Sequence, residues 1–157
     1  LQGRAKSLNQ LGAVAWEHAT EARAAEDAAQ FTDRARTALQ HYHQALDLLP
    51  ADAVNDLSVV HNQLGIIYDG IGQLDTALRH YQQDIRLCED AGNHYGAAQT
   101  RYNVALALLH ADRLADALDY ARAALAGFQR YGERAQRDID KAQALIRRIE
   151  AAARGGG

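Results

Sequence analysis

Seven histidines, one cysteine and several neighbouring carboxylates are the residues of this chain that could carry chemistry, and their spacing keeps them apart. The histidines stand at 18, 41, 43, 61, 80, 94 and 110, with no pair four residues apart. Two imidazoles on one helical face need roughly that spacing to share a metal ion. His41 and His43 point to different faces of any helix that carries both. Cys88 has no second thiol in this chain, so neither a disulfide framework nor a Cys-x-x-Cys pair arises, and it reads as a buried, inert thiol. Glu21 with Glu26, and Glu89 with Asp90, read as solvated helix residues rather than as an acid and its base. There is no GxxxxGK[ST] loop, and Gly70-Ile71-Gly72 reads as a turn between helices rather than a phosphate cradle. The chemistry-bearing residues thus predict no catalytic centre, no metal and no cofactor.

The elements that must position these residues are helical. A single proline, no methionine and long stretches of good helix formers favour helix over strand. Seven helices are predicted. The first begins near Arg4. Pro50 closes the second, with Asp52 as N-cap of the third. Gly70 and Gly72 mark the next turn, and Gly92-Asn93 the one after, with Asn93 as N-cap. Ala111-Asp112 makes a tight turn, and Gly132 ends the sixth helix. The seventh, about residues 133–153, places Ile139, Ala142, Ile146 and Ile149 on one stripe. Arg137, Asp140, Lys141, Arg147 and Glu150 take its other faces, the pattern of a terminal cap with a polar outer side.

Composition narrows the function classes. The formal net charge of −3 argues against a general nucleic-acid or anionic-membrane surface. No apolar run approaches the length of a membrane span, and no secretory leader pattern begins at Leu1, so the expected location is cytoplasmic. Lys6 and Lys141 are the only lysines beside many arginines, and Ala, Gly and Asp are abundant, which points to a GC-rich bacterial genome. The ends, Leu1 and Arg154-Gly155-Gly156-Gly157, read as those of a domain cut from a longer protein.

Internal repetition carries the most information. Asn9-Gln10-Leu11-Gly12 returns as Asn62-Gln63-Leu64-Gly65, and more loosely as Tyr102-Asn103-Val104-Ala105. Each is followed by a small residue and its companions on a second helix: Ala38, Tyr42 and Ala45; Ala77, Tyr81 and Asp84; Ala117, Ala121 and Ala124. These residues resemble the tetratricopeptide repeat, whose unit is a pair of antiparallel helices. Leu64, Gly65, Tyr68, Ala77 and Tyr81 fit the family pattern in order. Ala38, Tyr42, Ala45 and Pro50 fit the second half of the first unit, and Val104, Ala105, Leu108, Ala117 and Ala124 fit the third. The second and third copies lie forty residues apart, as in the longer-unit form of the family, against about thirty-four in the common one.

The resemblance implies an all-α, right-handed α-solenoid of three helical hairpins and a capping helix, with units at about 4–50, 52–91 and 93–131 and the cap at 133–153. The whole, 1–154, is read as one repeat domain followed by a flexible tail at 155–157. Gly65 and Ala77 would mark the closest approach of two helices, with Tyr68 and Tyr81 filling the gaps beside it. First helices of the family line a concave groove, and the positions that would face it here are Asn9, Gln10 and Ala13; Asn62, Gln63 and Ile66; Tyr102, Asn103 and Leu106; with Gln99 one turn earlier. Asn and Gln offer a donor and an acceptor together, which suits the backbone of an extended peptide. Some members clamp a terminal carboxylate with Lys or Arg from this face. Here only Lys6 comes near it, and Arg101 falls at a position that packs between helices, so a neutral, amide-lined groove is expected instead.

The first unit is longer than its fellows. Gly12 and Ala38 are twenty-six residues apart, whereas Gly65–Ala77 and Ala105–Ala117 are each separated by twelve. No Gly or Pro interrupts 13–49, so the fourteen extra residues are expected to be helical, two turns in each arm, which keeps both apolar faces in phase. The tip then falls near 24–28, with Thr32-Asp33 as a rival break of better N-cap chemistry. The extension is either a docking arm or a longer hairpin of no separate role.

The expected function is a non-catalytic module that binds a protein or peptide partner, within a larger bacterial signalling or regulatory protein. The other reading is self-association through the long hairpin or an open end of the solenoid.

Overall fold

A computed structural model describes residues 1–156. Seven α-helices follow in order: α1 (Gln2–Ala24), α2 (Ala28–Leu48), α3 (Val54–Gly70), α4 (Leu74–Asp90), α5 (His94–His110), α6 (Leu114–Gln129) and α7 (Gln136–Gly155), the last preceded by a short 3-10 turn at Gly132–Ala135. No strand occurs among the described residues. The fold is an all-α solenoid of helical repeats, three successive helix pairs and a final helix. The chain forms two compact units, Leu1–His80 and the residues from Tyr81 onward, and the division falls inside α4.

Four turns share one set of bonds, which explains where the helices stop. At Ala25-Glu26-Asp27 the Asp27 N–H donates to the Ala22 carbonyl, and the Glu26 N–H to Arg23. The same two bonds recur as Gln73 to Tyr68 and Gly72 to Asp69, as Asn93 to Cys88 and Gly92 to Glu89, and as Arg113 to Leu108 and Asp112 to Leu109. This is the Schellman closure, in which one residue enters the left-handed region to recover the last helical carbonyls. Gly72 and Gly92 do so at φ 82° and 71°. Glu26 and Asp112 do so at φ 59°, where a side chain is uncommon. Asp27 and Asn93 then cap the next helices, their side chains accepting from the Gln30 and Gly96 N–H groups.

The long hairpin is built as two added turns per arm. α1 continues twelve residues past Gly12, where α3 continues five past Gly65, and α2 starts ten residues before Ala38, where α4 starts three before Ala77. Its tip is Ala25–Asp27. Thr32 and Asp33 lie inside α2, and the Thr32 hydroxyl donates back to the Ala28 carbonyl, so no break forms there. Four further boundaries depart from expectation. The first helix begins at Gln2. α3 is capped by Ala53 without a side-chain bond rather than by Asp52, and the Ala53 N–H donates to the Pro50 carbonyl. α6 ends at Gln129, before Gly132. α7 starts after the 3-10 turn and runs on to Gly155. The expected tail at 155–157 thus begins inside a helix, and Gly157 lies outside the described residues.

In the first compact unit the core is Ala15, Ala38, Tyr42, Ala45, Val60, Leu64 and Ile67, with Leu8, Trp16, Leu39 and Tyr68 against it. Gly12 lets α1 and α2 close: a Cβ there would lie 2.8 Å from the Tyr42 ring. Ala19, Ala22 and Ala35 continue this small-residue seam into the extension, all buried. Trp16 reaches across to α3, where its ring occupies the space a Cβ on Gly70 would take. Arg23 donates to the Gly70 carbonyl at 3.3 Å and stands 5.5 Å from the Phe31 ring, which in turn meets Trp16 at 6.2 Å. Gly65 and Ala77, expected to mark the second hairpin's close approach, are both buried.

The second compact unit packs Ala98, Ala124, Phe128, Ala135, Ile139 and Ala142. Its α5 and α6 close on each other at Gly127, where a Cβ would come within 2.7 Å of the Ala98 methyl. α7 docks through Ile139, Ala142, Leu145 and Ile149. Leu145 thus takes the place expected of Ile146, which is only half-buried. Tyr95 ties the α7 start to α5, since its hydroxyl donates to Asp138 while its N–H donates to the Tyr131 hydroxyl. That bond to Asp138, with some burial, raises the Tyr95 pKa.

Asp84 is buried at 2% exposure and accepts from the Thr100 hydroxyl and, at 3.4 Å, from the Cys88 thiol. Cys88 is therefore buried and structural. A buried carboxylate deprived of a donor costs about 1–3 kcal/mol. Thr100→Val, which keeps shape and removes the hydroxyl, is expected to destabilise by that amount in denaturant unfolding. An unchanged midpoint would mean that Asp84 does not depend on Thr100.

Candidate functional site

The residues expected to bind are distributed over three first helices. In the first compact unit α1 carries Asn9 and Gln10, and α3 carries Asn62, Gln63 and Ile66. In the second, α5 carries Gln99, Tyr102, Asn103 and Leu106. Gln10 and Gln99 are exposed, and the other seven are half-buried. None of the nine is fully buried as a residue. Among the described residues, the side chains of Gln10, Gln63, Gln99 and Asn103 make no hydrogen bond within the chain, while Asn62 is engaged. Asn9 Oδ1 is buried and finds no donor. An acceptor left so costs free energy.

On α5 the face is less neutral than the sequence reading expects. Tyr102 packs on the Ala98–Phe128 core, and Lys141 of α7 places its ammonium 5.3 Å from the Tyr102 ring centre. This cation–π contact puts one positive charge on the face of the Tyr102 ring. Lys141 read from the sequence as part of the polar outer face of the cap, because nothing local says that α7 lies against α5. Lys6 is exposed on α1, and Arg101 is held by Glu89.

The sequence reading also keeps the histidines apart, and the fold of the first unit brings three of them together. His43 Nε2 lies 2.9 Å from the Tyr68 hydroxyl, and His61 Nδ1 lies 3.1 Å from His80 Nδ1. The His80 ring stacks on Tyr68, with centroids 5.4 Å apart and planes 2° from parallel, and it meets His43 edge-on at 6.1 Å. Burial foremost, then His61, His43 and Arg79, lower the His80 pKa from its ordinary value to about 4. Helix periodicity gives no hint of this group, whose members come from α2, α3 and α4. Among the described residues, no three His, Cys, Asp or Glu side chains converge in a way that could hold a metal ion. No helix there is long and apolar enough to cross a membrane.

Comparison with known proteins agrees with the repeat architecture. The tetratricopeptide-repeat family model matches residues 56–130. The photosystem I assembly protein Ycf3 of Synechococcus elongatus is 48% identical over 50 residues, 31% of this chain and 29% of that protein. Ycf3 of a second Synechococcus strain matches to the same extent. The chain thus spans under a third of the curated relatives it matches. Among solved structures, BtubC (BKLC) from P. vanneervenii superposes with a TM-score of 0.56 at 22% identity, over 94% of this chain and 74% of that one. With the duplicated Asn-Gln-Leu-Gly signature and the three helix pairs, these matches identify residues 56–130 as tetratricopeptide repeats.

Proposed function

We propose that this protein-interaction module binds an extended segment of a partner protein through the amide-bearing faces of its first helices. The observation that carries the reading is the recurrence of Asn and Gln at equivalent positions of α1, α3 and α5, of which Gln10, Gln63 and Asn103 are without partners inside the fold. Each amide offers a donor and an acceptor, which is what a peptide backbone requires. In extended-segment recognition, backbone bonds supply affinity and neighbouring apolar pockets supply selectivity. Ile66 and Leu106 stand beside the amides for that second role. The segment belongs to a partner in a bacterial signalling, regulatory or assembly system, the last by likeness to Ycf3.

Gln99→Ala with Asn103→Ala is expected to weaken binding by about 1–3 kcal/mol, because the partner's backbone groups would be left unpaired. Stability should hold, since neither amide is bonded in the fold. Asn62→Ala should weaken binding as well but also lower stability slightly, because Asn62 is engaged. Calorimetric titration against the partner, with melting curves alongside, separates the two effects. Unchanged affinity in the α5 double variant overturns the amide reading.

Self-association is the second reading, favoured by one observation. Leu11 and Val14 stand one turn apart on α1 at 51% and 48% exposure. Sedimentation at rising concentration, with Leu11→Gln and Val14→Gln as the control, tests it. A monomer throughout removes this reading.

A further inference from the structure

We propose that His43, His61, His80 and Tyr68 form a proton-sensitive joint that holds α2, α3 and the start of α4 together while His80 is neutral and loosens when it takes up a proton.

The geometry requires the accepting ring of the His61–His80 pair to be neutral. The His61–His80 bond joins two Nδ1 atoms 3.1 Å apart, so one must donate and the other accept. If both carry protons, two N–H groups point at each other and the bond is lost. His43 meets Tyr68 by Nε2 and His80 by its ring edge, so a charge on His80 lies about one ring-width from both other imidazoles. The groups acting on His80 are His61 from α3, His43 from α2 and Arg79 from its own helix. All are cationic when protonated, so none rewards a charge on His80. Tyr68 supplies a stacked face and a hydroxyl.

The direction of the pH effect follows. A histidine whose pKa falls on folding leaves the folded state short of protons relative to the unfolded one. Its contribution is therefore undiminished above the ordinary value of 6.5. It declines as pH falls from there to about 4, and levels off below. That window includes the acidity at which histidine clusters act as switches elsewhere. The joint is independent of whether Asn62, the residue after His61, contacts a partner.

The test uses the whole chain at pH 7.5 and 5.0. His80→Phe keeps a ring against Tyr68 and removes the titrating nitrogen pair. Wild-type protein is expected to lose about 4 °C or more of melting temperature beyond the loss of the variant between the two pH values. Amide exchange should quicken first in α3 and the first turns of α4. Should His80→Phe fail to fold, an NMR titration of the wild-type His80 ring decides, with a midpoint well under 5 expected. A midpoint at the ordinary value, or equal losses in both proteins, overturns the joint.

Discussion

Tyr42→Ala is expected to remove about 3–5 kcal/mol of stability, the range for truncating a large buried ring. Tyr42 is 1% exposed, and burial pushes its hydroxyl pKa up to about 12. Its ring edge lies where a Gly12 side chain would be, so the two positions share one volume. Gly12→Leu alone should overpack that volume and cost about 1–3 kcal/mol. In the double variant the leucine enters the space vacated by the ring. The combined loss should then fall short of the sum by about 0.5–3 kcal/mol, the usual scale for residues in contact. Urea unfolding of the four proteins at pH 7.5 measures the cycle. Simple additivity would mean that α1 and α2 do not meet at Gly12. The same reasoning predicts that Gly127→Leu is costly, because Ala98 stands in the way.

Shortening the first hairpin should leave the fold intact while removing about fourteen residues' worth of helical signal. Deleting residues 18–24 with 28–34 takes two turns from each arm and keeps the Ala25–Asp27 turn with its Asp27 cap. Gly12 and Ala38 then stand twelve residues apart, as in the other hairpins, and both apolar faces stay in phase. Trp16 loses Phe31, and the Gly70 carbonyl loses Arg23, so the melting temperature should drop as well. Circular dichroism per molecule reads the helix loss directly, and an unchanged signal would mean that the extension is not helical in solution. If partner binding or self-association disappears while the remaining helices persist, the docking surface is the hairpin rather than the amide faces.

Much of this architecture is legible in the chain because it is locally encoded. Gly72, Gly92 and Asn93 announce their turns through backbone freedom and capping, and Pro50 stops α2 because the residue before a proline resists helix. The tip at Glu26 is different. Neither Glu26 nor its neighbours advertises a left-handed residue, and Thr32-Asp33 offers the better cap chemistry. The position of the tip follows from pairing the small-residue seam on α1 with that on α2, which keeps Gly12 on Tyr42 and buries Ala19, Ala22 and Ala35. The cap helix shows the same limit: both Leu145 and Ile146 fit an apolar stripe, and only the rotation of α7 against α6 chooses Leu145.

The helical class, the repeat signature, most helix ends, the extra turns of the first hairpin and the amides that recur on the first helices are all written in the chain. These depend on residues within a few positions of one another, or on a motif that returns. Tertiary structure alone decided which side chains meet across helices: Tyr42 on Gly12, Gly127 on Ala98, Lys141 over Tyr102, and His43, His61 and His80 around Tyr68. Such meetings depend on the rotation and register of packed helices, which are set by the summed fit of whole faces, and no local spacing records that sum.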